Sequence, residues 1–284
     1  MNNQIKTVVL LTLLSVLFIY VGKAIGGQQG MVIAFIFALL MNFASYWFSS
    51  KIVLALYRAT PISEDHDVYQ LVREIATAAR MPMPKVYRIP SMSPNAFATG
   101  RNPQHGVIAV SEGLLRILNT EELRGVLAHE MSHIVNRDTF ISTVAATIAS
   151  SIVMLANMAK WAAIFGGHRR DESGRGSGMF ELLAMAIVAP IAATLIQLAI
   201  SRSREFQADR RGAEIARNPY GLIAALQKIS QAAHDIPLEH ATPATSHLFI
   251  LNPLSGTSLM KLFSTHPPLE ERIERLSNLR SNGR

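Results

Sequence analysis

Four long apolar runs constrain this chain more than any other feature. They cover Ile5 to Val21, Met31 to Phe48, Ile141 to Phe165 and Met179 to Ile200. Each is close to the ~20 residues that a bilayer's hydrocarbon core demands of a helix. The first, with Lys6 near its start, has some character of a signal peptide, but no clean small-x-small cleavage site follows it. The second begins after only the short turn Gly26-Gly27-Gln28-Gln29-Gly30. The two therefore read as a transmembrane hairpin. Runs three and four contain Asn157, Lys160, Pro190 and Gln197. They read as a second hairpin, spanning or membrane-embedded, with buried core helices as the alternative.

Composition agrees with the membrane reading. Only 17% of the 284 residues are charged, and the mean hydropathy is +0.23. Both are unusual for a soluble protein. The formal net charge is +7. No basic stretch is interleaved with aromatics as a nucleic-acid surface would need, so the partners expected are a lipid bilayer and no nucleic acid. Basic residues near the spans divide unevenly. Lys6, Lys51, Arg58, Arg137, Arg202, Arg204, Arg210 and Arg211 fall on one side, against Lys23, Arg169, Arg170 and Arg175 on the other. The positive-inside rule then puts both termini and the main domain in the cytoplasm.

Between the runs the chain reads as a soluble domain. Val68 to Met81 has the spacing of an amphipathic helix, with Leu71, Val72, Ile75 and Ala79 on its apolar side and Pro82 and Pro84 ending it. Lys85 to Ile89, Ala96 to Thr99 and Gly106 to Val110 read as short strands of a small sheet. Ser111 suits the N-cap of a helix from Glu112 to Leu118. A helix starting at Thr120 lacks a capping-box glutamate at Leu123, although Glu121 and Glu122 favour its amino end. Further helices are expected near Gly221 to Ala233 and Leu269 to Arg280. The implied division is a hairpin over 1–56, a first catalytic part over 57–140, a second hairpin over 141–201 and a second catalytic part over 202–284.

The helix from Glu121 to Arg137 carries His129-Glu130-Met131-Ser132-His133, an H-E-x-x-H pattern. Residues four apart project from one helix face, so both imidazoles can grip one zinc ion, with Glu130 beside the open position. With no cysteine in the chain, thiolate zinc sites, disulfides and cysteine nucleophiles are excluded. A catalytic zinc needs a third ligand, from His, Asp or Glu. Two apolar passes after His133 would return Glu205 to the side it left. Asp209, one turn on, would then orient a ligand histidine from behind. On spacing alone, the two carboxylates serve equally well as ion-pair partners of Arg202, Arg204 or Arg210 on a solvated face.

Taken together, these segments resemble the HtpX family of bacterial membrane zinc metalloproteases, gluzincins related to the type I CAAX prenyl proteases. The matching pieces cover nearly the whole chain: the apolar pairs, Asn95-Ala96-Phe97-Ala98-Thr99-Gly100, Gly125 to His133, Ser201-Arg202-x-Arg204-Glu205-Phe206-x-Ala208-Asp209, and Thr265-His266-Pro267-Pro268 with Arg272. The resemblance implies one Zn2+ per chain, held by His129, His133 and Glu205. The expected fold is a mainly α membrane protein. It has four transmembrane or membrane-embedded helices and a cytoplasmic α+β zincin-like catalytic domain with a small β-sheet.

Peptide hydrolysis at such a site would use Glu130 as general base toward a zinc-activated water. His266 and Arg272 are candidates for stabilising the oxyanion, their segment resembling one that lines the cleft of the prenyl proteases. Asn95, Ala96 and Phe97, on an exposed strand edge beside the zinc helix, are candidates to bind an extended peptide by strand addition. The remaining histidines show no ligand spacing, and Asp138 reads as a structural partner of Arg137 or the helix end. The resemblance further implies a multi-pass protein of the bacterial inner membrane that cleaves unfolded or damaged membrane proteins under stress. It would overlap in function with other membrane quality-control proteases. A processing protease of one narrow substrate ranks second, and a zinc-dependent scaffold without turnover third, because a scaffold has no need of Glu130.

Overall fold

The computed structural model describes residues 3–139, 202–235, 249–250 and 267–279. The third and fourth apolar runs, the loop between them and His266 lie outside the described residues. Helix α1, Asn3–Leu56, is helical by hydrogen bonding along its whole length, yet it is not a straight rod. At 1.5 Å per residue, positions 15 and 42 of a rod would lie about 40 Å apart. Instead the Asn42 amide donates to Ser15 Oγ at 2.9 Å, and the Phe18 and Phe37 rings meet edge to face at 5.5 Å. The chain reverses at Gly27, whose φ of +59° is the left-handed conformation that glycine takes without cost. Above that reversal Gly22 packs bare against Gly30 and Ala34, where a Cβ would collide. Among the described residues, this is the one helix long and apolar enough to cross a membrane, by its window Gly27–Ala44. Val32, Ile33, Phe35, Ile36, Leu39, Leu40 and Phe43 on the second arm all stand exposed.

Below the hairpin, helix α2 (Asp67–Ala78) is capped at its start by His66, whose Nδ1 accepts from the Val68 amide at 3.1 Å. Strands β1 (Thr60–Pro61), β2 (Lys85–Ile89), β3 (Ala96–Thr99) and β4 (Val107–Ser111) form one mixed sheet in the order β1-β2-β4-β3. Only the β2–β4 pair is parallel. The last strand runs one residue later than the sequence pattern predicts. Ser111 ends it, and its Oγ also caps helix α3 (Glu112–Ile117) by accepting from Leu114 N.

Alternate residues of β4 serve two layers, as the pleat requires. Ile108 and Val110 join the main core, whereas Val107 and Ala109 face Val53, Leu54 and Tyr57 at the foot of α1. Helix α4 (Thr120–Val135) runs through that main core. Its amino end differs from the sequence expectation by one residue. Asn119 is the N-cap, and with Glu122 at N3 it makes a full capping box. Leu123, Val126, Leu127, Met131 and Ile134 pack against α2, the sheet and helices α5 (Arg202–Ala216) and α6 (Pro219–Asp235). Gly212 allows the closest approach: a Cβ there would lie 2.8 Å from the His129 amide nitrogen. Helix α7 (Leu269–Asn278) closes the domain and buries Arg272 and Leu276.

Candidate metal centre

Three side chains from two helices converge in this core. His129 and His133 sit one turn apart on α4, and Glu205 lies in the first turn of α5. The two Nε2 atoms stand 3.3 Å apart. Glu205 Oε2 lies 3.8 Å from His129 Nε2, and its Oε1 lies 3.6 Å from His133 Nε2. All three ligand atoms fall within 4.8 Å of one another. Donors of a tetrahedral zinc at roughly 2.0–2.1 Å stand about 3.4 Å apart, so this two-nitrogen, one-oxygen set fits such an ion. The close approach of α5 at Gly212 sets Glu205 against the histidines, and the ion-paired solvated face is ruled out: Glu205 and Asp209 are both buried.

Each histidine has a carboxylate behind it. His129 Nδ1 lies 2.9 Å from Asp209 Oδ1, although the ring is turned off the ideal line. His133 Nδ1 lies 3.4 Å from Asp138 Oδ2. Such partners fix the ring so that the other nitrogen faces the metal. Asp138 is the partner that spacing does not reveal. Arg137 adopts φ +58°, which turns the chain back after α4 and brings Asp138 onto His133. Arg137 itself is exposed.

Arg272 is placed differently from an oxyanion donor. It is fully buried and forks onto Asp209, Nε to Oδ2 at 2.8 Å and Nη2 to Oδ1 at 2.7 Å. Its Nη1 donates to the Ile250 carbonyl at 2.9 Å. The amide of Ile250 in turn donates to Asn95 Oδ1 at 3.1 Å. Asn95 thus joins the start of β3 to Arg272, Asp209 and His129 in one buried chain of contacts.

Strand β3 lies at the edge of the sheet, but its residues are all buried rather than exposed. Its parity is defined. Asn95 exchanges hydrogen bonds with Ser111, its amide donating to Ser111 Oγ at 2.8 Å and its carbonyl accepting from the Ser111 amide at 2.9 Å. The Ala98 amide turns the other way and donates to Glu130. Main-chain groups alternate along a strand, so Ala96 also directs its N–H and C=O away from β4.

The charges are strongly coupled. Burial pushes the Glu130 carboxyl up, the two histidines and the Ala98 amide pull it down, and the net position is raised. Burial would lower the His133 imidazole, but Glu205, Asp138 and Glu130 reverse that and lift it to about 9. The donor set therefore attracts positive charge into the space between its members.

Comparison with known proteins accords with this geometry. The pattern of peptidase family M48 matches residues 63–280. A protease HtpX homolog of Syntrophobacter fumaroxidans is 56% identical over 98% of this chain and 100% of its own length. One from Thermodesulfovibrio yellowstonii is 58% identical over 96% and 97%. Another, from Pyrococcus furiosus, is 52% identical over 97% and 95%. The crystal structure of S. mikatae Ste24p shares the fold, with a TM-score of 0.54 at 19% identity. That likeness covers 94% of this chain but only 62% of Ste24p. The chain belongs to peptidase family M48, among its HtpX homologues, and is a metallopeptidase.

Proposed function

We propose that the chain is a zinc-dependent membrane endopeptidase that cleaves misfolded or damaged membrane proteins at a cytoplasm-facing site. The observation that carries this reading is the convergence of buried His129 and Glu205 with half-buried His133, with Glu130 directly after the first of them. Support for the membrane comes from the exposed apolar second arm of α1, a surface too large and continuous for a soluble monomer. The return of Glu205 to the two histidines is also what an even number of crossings between residues 140 and 201 would require.

Zinc bound by the triad would supply a Lewis acid and lower the pKa of a bound water to about 7. Glu130 would take the water's proton and hand it to the leaving amine. Ala96 would pair main chain to main chain with an extended peptide, a mode that tolerates many sequences. Asp209 and Asp138 would orient the ligand rings, and Arg272 would hold Asp209 rather than touch substrate. His266, by resemblance, is left as the candidate donor to the oxyanion. The test is cleavage of an unfolded membrane protein by the purified full chain. Cleavage should require zinc, stop with a chelator and return when zinc is restored. Cleavage that a chelator leaves unchanged would overturn the reading.

A further inference from the structure

A second site lies on the far side of the sheet from the metal centre. The foot of α1 and the sheet enclose a groove of about 640 Å³, within the ~300–1,000 Å³ range typical of ligand sites. Phe43, Trp47 and Phe48 line its α1 side. Lys51, Lys85 and Arg101 supply three cations. Among the described residues no Asp or Glu lines this groove, and none of the three cations makes an ion pair.

Arg101 is held in place before any ligand arrives. Its guanidinium sits 4.2 Å from the Trp47 ring centre. Its Nη2 donates to His105 Nε2 at 2.9 Å, which leaves His105 Nδ1 to donate to Asn102 Oδ1 at 2.7 Å. Lys51 Nζ lies 5.7 Å from the Phe48 ring centre. Aromatic rings and Lys51 from α1 thus face Lys85 and Arg101 from the sheet side, and the unbalanced positive charge calls for an anion.

The groove's position selects the kind of anion. Lys51 follows Phe48, where the second apolar run ends. The Gly100 carbonyl accepts from Thr139 Oγ1 at 2.9 Å, tying this loop to the chain just before the third run. Phe43 and Trp47 are 58% and 47% exposed on the same arm. We propose that this groove binds an anionic glycerophospholipid, the phosphate on Lys51, Lys85 and Arg101 and the upper acyl chains along Phe43 and Trp47. The proposal rests on the membrane reading of the hairpin. Juxtamembrane cations attract anionic headgroups by roughly 5-fold in affinity each.

Trp47 makes the test direct. The chain has two tryptophans, so Trp161→Phe leaves Trp47 as the single reporter. The full-length protein is reconstituted in phosphatidylcholine vesicles carrying either brominated-chain phosphatidylglycerol or brominated-chain phosphatidylcholine. The expected result is half-quenching of Trp47 at a several-fold lower mole fraction of the glycerol lipid. Lys51→Gln with Lys85→Gln should abolish that preference, since each cation contributes roughly 5-fold, without moving the thermal midpoint. Equal quenching by the two lipids, or a preference that survives the double substitution, would overturn the lipid site while leaving the hairpin in the bilayer. Quenching by neither lipid would overturn the membrane reading as well. A preference abolished by added inorganic phosphate would assign the groove to free phosphate instead.

Discussion

Arg272 and Asp209, 63 positions apart, form a fully buried two-point ion pair with contacts of 2.7 and 2.8 Å. Asp209 touches His129, one of the three side chains that could hold a metal, on its other side, so the arginine would act on a bound metal through the aspartate. Arg272→Met should leave Asp209 buried and unpaired, at a cost of about 3–5 kcal/mol in stability. Zinc affinity should fall about 10–100-fold, as for loss of other groups that orient a ligand. The measurement is a double-mutant cycle of Arg272→Met and Asp209→Asn, reading zinc affinity and unfolding. Additive losses of zinc affinity would contradict a role exerted through Asp209.

The same pair makes stability depend on acid. Burial alone would push the Asp209 carboxyl up, but Arg272, with help from His129, holds it down at about 2. Ordinarily it would titrate near 3.8. The unfolded chain therefore takes up this proton first as the pH falls. The contribution is complete above the ordinary value and is lost as the pH drops through 3.8 toward 2. Thermal unfolding of metal-free protein should lose stability across that window, and Asp209→Asn should remove that part of the slope. Identical slopes in wild type and variant would contradict the pairing.

Asp138 should behave as the counterpart behind His133. Asp138→Asn is expected to weaken zinc by about 10–100-fold while the sheet and α4 stay folded. A competition titration against a chelator measures this. Unchanged affinity would make Asp138 a structural residue only.

Ala96 tests the strand edge. Its amide points away from β4, so proline there removes no hydrogen bond of the sheet. Ala96→Pro should weaken peptide cleavage at full zinc content. Unchanged cleavage would rule out pairing of substrate with that amide.

Much of this architecture is legible in the chain, where information is local. The strands Lys85–Ile89 and Ala96–Thr99, the Ser111 cap and the helix carrying H-E-x-x-H follow from alternation, capping chemistry and the four-residue spacing. Gly26 to Gly30 marks the place where α1 turns back. The capping box lies one residue before the expected start because Thr120 and Asn119 are both good caps, and only the contact with Glu122 chooses between them. Contacts across long separations left no local trace. Nothing near Arg272 reveals that Asp209 is its partner, and Asp138 reaches His133 only through a left-handed arginine. The burial of β3 likewise depends on neighbours far away in sequence.

The most direct measurement joins zinc content to cleavage in Glu130→Gln. His129, His133 and Glu205 are the proposed holders of the metal, and Glu130 the proposed carrier of the proton. The variant should bind one zinc per chain, as wild type does, and fail to cleave an unfolded membrane protein. Cleavage near the wild-type rate by zinc-loaded Glu130→Gln, or loss of its zinc, would contradict the account.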